Sequence, residues 1–133
     1  MKRNILAVIA VFVLWAVLDF CIHGVILKSA YAATAELWRP MAEMKMCLMY
    51  CTTFIVAIVF VAIYARLVSD KKANAAMLYA FLFGIGAATP MAYGTYSVMP
   101  IPCSMALTWF LGTLIEFLAA GVVLGLIVKG DKV

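Results

Sequence analysis

The chain has 133 residues, 68% of them hydrophobic, and a formal net charge of +4. Soluble chains run about 45–50% apolar, so this composition, with a mean hydropathy of +1.15, excludes a soluble domain. The basic residues flank apolar runs, where orientation signals belong, and they imply no nucleic-acid partner.

Four stretches are long enough to span a bilayer: 5–27, 46–65, 75–93 and 105–128. They consume most of the chain. The expected fold class is therefore an all-α integral membrane protein, one domain of four transmembrane helices in an up-down bundle. The first stretch opens with Lys2 and Arg3. A cleavable signal peptide is the rival reading, because Ala30-Tyr31-Ala32 resembles a cleavage site. The apolar run continues past Asp19 to Leu27, too far for an ordinary signal segment, so a retained helix is expected. Asp19 and His23 are four apart and share a face with Trp15. A carboxylate beside an imidazole holds one tautomer or stabilises the charged ring. The plainer account is mutual satisfaction of two awkward polar groups.

Residues 29–38 are Ala-rich and suit a short surface helix with Trp38 at the interface, broken at Arg39-Pro40. Pro40 suits the first position of the second helix, with Glu43 in its first turn. That helix is expected to protrude before entering the membrane near Met46, and it carries Cys47, Tyr50, Cys51, Thr52 and Thr53 early. The third helix, from Ala75, has Gly84, Gly86, Ala87 and Ala88 for close packing. Pro90 should kink or end it, leaving 93–103 as a turn-rich connector. The fourth has a small-xxx-small pair, Gly121 and Gly125, and one charge near its middle, Glu116.

A carboxylate at mid-bilayer costs at least ~2.5 kcal/mol. It persists there when neutral, paired or facing a wet cavity. Gly112, Thr113, Ala119 and Ala120 surround Glu116 on the helix surface, and such a small-residue stripe points it into the bundle. An ion, proton or ligand site is the functional reading. Hydrogen bonds that pin helices together are the bland one.

Seven of the ten basic residues fall at three sites: Lys2/Arg3, Arg66/Lys71/Lys72 and Lys129/Lys132. With four spans these share one side, so both termini are expected to be cytoplasmic, in a cell (inner) membrane. Asp19, His23, Tyr50, Tyr93 and Glu116 then fall in the outer half over an apolar floor, as a ligand- or proton-binding set. Met44, Cys47 and Cys51 follow the i, i+3, i+7 spacing of one helical face. With Cys103 and His23 they make a soft ligand set suited to copper. Methionine as a filler of irregular interfaces, and a disulfide from Cys103 to Cys51 or Cys47, are the alternatives.

The chain resembles the small multidrug transporters in having four short spans and an intramembrane glutamate. It departs from them because their glutamate lies in the first helix, where this chain carries Asp19 and His23. Three functions follow from the residues: a protein binding or transporting a small ligand, a structural or accessory subunit of a larger membrane complex, and a dimeric proton-coupled carrier. The expected partners are the lipid bilayer and either further copies or a larger complex. One histidine, with no HExxH, nucleophile elbow or phosphate loop, argues against an enzyme.

Overall fold

A computed structural model describes residues 1–128; Lys129 and Lys132, counted above in the charge asymmetry, lie outside the described residues. All regular structure among the described residues is helical. Lipid offers the backbone no hydrogen-bond partners, so an apolar run must satisfy its own amides, and a helix does this within one segment. The first span is α1 (Lys2–Asp19) continued by a π-helical segment, Phe20–Ile26. A short α2 (Lys28–Ala33) follows, and then α3 (Met46–Leu67). The third span joins α4 (Ala73–Thr89), a second π-helical segment (Pro90–Gly94) and α5 (Thr95–Val98). The fourth is α6 (Cys103–Ile127). These spans are 25, 22, 26 and 25 residues long and apolar enough to cross a membrane.

Two prolines bear on where the spans begin and end. Pro90 neither ends the third span nor leaves a turn-rich connector from residue 93; the chain winds on to Val98 through the π segment. A proline lacks one N–H, and a local widening of the helix lets the neighbouring groups find partners. Pro40 does not open the second span. A 3-10 turn at Met41–Glu43 follows it, Met44 is extended, and the helix begins at Met46.

The tightest seam joins α4 and α6. Ala76, Ala80, Gly84 and Ala88 are buried at four-residue intervals along one face of α4. A Cβ on Gly121 would stand 2.6 Å from that of Ala80, and one on Gly84 would stand 2.9 Å from that of Phe117. Only small residues permit this approach, and dispersion across it replaces the absent hydrophobic drive. Gly86, expected in the same seam, has open space around it. Helix α1 lies beside α6 on one flank and α3 on the other.

Two apolar clusters divide the bundle lengthwise. Toward Arg66, Ala7, Tyr64, Ala76 and Val128 are packed with an aromatic group of Trp15, Phe60, Phe83 and Phe117. Their ring centroids lie 4.9–5.7 Å apart in tilted or edge-on pairs, the arrangement that the ring quadrupoles favour. Toward Tyr31, a second cluster contains Ile22, Leu27, Ala92, Ile101, Met105 and Trp109. Helix α3 contributes Ala57, Phe60, Val61 and Tyr64 to the first cluster, while almost all of its stretch from Met46 to Val56 is exposed. Its far end is closed by Lys71, whose ammonium donates to the carbonyls of Tyr64, Ala65 and Val68 and sits 4.8 Å over the Tyr64 ring.

Candidate functional site

Asp19, His23 and Glu116 come together where the two clusters meet. Asp19 closes α1, and His23 lies one turn on, inside the first π-helical segment. The His23 Nε2 and an Asp19 oxygen are 3.7 Å apart, with both side chains about one-third exposed (33% and 37%). Single π turns recur at functional sites, because the extra residue in the turn re-aims side chains. Here the widened helix abuts α6, where a Cβ on Gly112 would meet the Ile22 side chain at 2.9 Å. That close approach brings α6 up to Asp19.

Glu116 is held on both its backbone and its side chain. The Trp15 indole N–H donates to the Glu116 carbonyl at 2.9 Å, tying α1 to α6 across 101 residues of sequence. The Glu116 carboxyl lies in hydrogen-bond contact with that of Asp19. Its Oε1 is buried with no partner. On the other side of Asp19 the row continues through His23 to Tyr31 and Trp109. The Tyr31 hydroxyl is 2.6 Å from His23 Nδ1, and the Trp109 indole N–H donates to it at 2.9 Å.

The chemistry of these groups gives the row a direction. An indole N–H can only donate, so the Tyr31 oxygen accepts from Trp109. The Tyr31 O–H is then available to Nδ1 of a neutral His23, whose Nε2–H faces Asp19. With the His23 proton on Nε2, each donor of the row points toward the two carboxyl groups; with it on Nδ1, the ring donates to Tyr31 instead. Burial pushes the Tyr31 phenol above its ordinary value, the Trp109 bond opposes this, and the nearby Asp19 charge adds to it. Around Tyr31 the loop is held by side chains. Trp38 donates to the Thr34 hydroxyl at 2.9 Å, Thr34 donates to the Ala30 carbonyl, and the Trp38 ring stands edge-on to both Tyr31 and Trp109.

Tyr50 and Tyr93 do not join the row. Tyr50 is exposed on the free part of α3, and Tyr93 lays its ring 5.6 Å from that of Phe110. The soft ligand set is not assembled either. Cys47 and Cys51 touch one another one turn apart, whereas Met44 faces a shallow groove with Trp38 and Met49. All four cysteines are free and exposed, so neither bridge from Cys103 is formed. Among the described residues no three His, Cys, Asp or Glu side chains gather to hold a metal. The physical reason is that α3 packs only through the half nearer Arg66, which leaves its Met- and Cys-rich turns outside the bundle. Asp19, His23 and Glu116 form a chain of contacts rather than a cage.

Tyr31, Trp38 and Trp109 carry much of the site beside Trp15, yet no local spacing marks these three. One signal was present: each indole N–H needs an acceptor when buried, and the spans offer few. Comparison with protein-family models, curated proteins and solved structures finds no match to this chain.

Proposed function

We propose that this chain is a small polytopic membrane protein that takes up a proton, or a small cationic ligand in its place, at the Asp19–Glu116 carboxyl pair. In this reading the four spans run up and down through an inner membrane with both termini cytoplasmic, and the Tyr31 end faces outward. His23 passes the proton between solvent and the pair, while Tyr31 and Trp109 hold its ring. Proton-linked binding or transport of a small molecule is the function this would serve. The observation that carries the reading is the contact between two carboxyl groups, one of them with a buried, unpartnered oxygen. Two carboxylates in contact repel one another unless a proton or a cation lies between them.

Difference infrared spectroscopy of the reconstituted protein tests this directly. A carboxylic acid C=O band should appear and vanish as pH is changed, and Glu116→Gln should remove it with the fold intact. Asp19→Asn should move its midpoint. A band that persists unchanged in Glu116→Gln would overturn the assignment.

A second reading is an accessory subunit of a larger complex. It is favoured by one observation, the exposure of Met44, Cys47, Met49 and Cys51 on a stretch of α3 that no other helix covers. Stoichiometric co-purification of another membrane protein, lost when this stretch is changed, would support it over the first.

A further inference from the structure

A groove of about 450 Å³ runs between α1 and α3 on the Arg66 half of the bundle, away from the carboxyl pair. Its walls are apolar: Ile5, Val8 and Ile9 on one side, Ile58, Val61 and Ala62 on the other. Asn4 and Arg66 stand at its mouth. At its other end is Phe54, whose ring meets Phe12 edge-on at 5.3 Å and closes the groove.

The dimensions select the occupant. Phe54 and Arg66 are 12 residues apart on one helix, so the groove is about 18 Å long at 1.5 Å per residue. Half the hydrocarbon thickness of a bilayer is about 15 Å. Spread over that length, this space for the centres of water-sized spheres has a cross-section of about 25 Å², roughly 5 Å across, so the clear width between the walls is about 8 Å. A helix with its side chains is about 10–12 Å wide and does not enter. A single polymethylene chain, with carbon–carbon contacts near 4 Å, does. The groove thus starts at a basic residue at one membrane face and stops at an aromatic pair near mid-bilayer. That is the path of one leaflet's acyl chain.

We propose that this groove holds one acyl chain of an anionic glycerophospholipid, with its phosphate drawn to the Arg66 guanidinium and its glycerol region to the Asn4 amide. Guanidinium matches phosphate in both charge and fork geometry. The exposed Arg66 side chain is free to meet a headgroup in the plane of the others.

The test uses full-length protein in detergent micelles doped with phosphatidylglycerol or phosphatidylcholine of matched chains. Lipid retained through gel filtration is counted per protein by mass spectrometry. The wild type should retain phosphatidylglycerol in preference to phosphatidylcholine, at close to one molecule per chain. Arg66→Gln should cut that preference roughly five-fold, the equivalent of about 1 kcal/mol per basic residue at an anionic surface. Ala62→Phe, which fills the groove, should lower retention of both lipids. Ile9→Phe does the same from an exposed rim position, and keeps the test intact where Ala62→Phe disturbs the helix contact. Equal retention of the two lipids by the wild type, a preference unchanged in Arg66→Gln, or full retention in Ile9→Phe would each overturn the proposal.

Discussion

The two halves of this bundle are held together by different forces. Toward Arg66, aromatic rings and small residues fill the interior, and Tyr79 donating to the Phe60 carbonyl at 2.7 Å is one of few side-chain bonds. Toward Tyr31, the same helices are joined by directional hydrogen bonds, His23 to Tyr31 and Trp109 to Tyr31, and both π-helical segments lie there. Packing of this first kind is non-directional and tolerates little change of volume. A bonded network tolerates volume but not the loss of a partner. The contrast shows where the protein invests rigidity and where it keeps groups that can change protonation. The Asp19, His23 and Glu116 side chains sit where the contacts turn polar, while the Arg66 half is filled by rings and small residues.

The largest expected break in this comparison is Phe117→Ala. The ring touches Trp15, Phe60 and Phe83, all within 5.3 Å centroid to centroid. Its removal should cost about 3–5 kcal/mol, read as a loss of unfolding free energy in mixed micelles. An effect below about 1 kcal/mol would mean that the aromatic group is not the keystone of its half. Tyr31→Phe should cost less, about 1–3 kcal/mol, because it removes no volume but strands the Trp109 N–H and His23 Nδ1. Trp109 fluorescence should report the loss, and the Arg66 half should keep its stability.

The smallest effect sharpens the comparison by pH. Burial raises the Tyr31 phenol above its ordinary 10.0. In alkali the unfolded chain therefore releases that proton before the folded one does. The contribution of Tyr31 is complete below about pH 10 and is lost as pH climbs through the raised folded value. The stability gap between wild type and Tyr31→Phe should narrow over that range. A constant gap would show that the hydroxyl bonds do not depend on the phenol keeping its proton.

Hydropathy made the four spans legible, since a run of such residues has no other way to satisfy its backbone in lipid. Asp19 and His23 were legible as neighbours from their spacing, and the small residues around Glu116 indicated which face it would present. The ends of the spans were harder to read. Pro90 reads as a stop in water, but within a bundle the widened turn absorbs it. Tyr31 was invisible as a site residue because its partners lie 8 and 78 positions away, across a loop and two further spans. Tyr50 lies apart from the row for the opposite reason. Its depth was evident, but nothing local reveals that its stretch of α3 stays clear of the other helices. Periodicity reports a face, not what the face meets.

The Trp15–Glu116 bond also has a consequence for the order of assembly. Its partners are 101 residues apart, and at about 5–20 residues per second the ribosome delivers α6 roughly 5–20 s after α1. During that interval α1 is in or near the membrane with Asp19 and His23 already made and Glu116 not yet synthesised. Their mutual contact, within a single turn, is a polar pairing available from the first span alone. The nascent first helix therefore carries its own provisional partner, and completion of the row waits for the last span to be threaded in beside it.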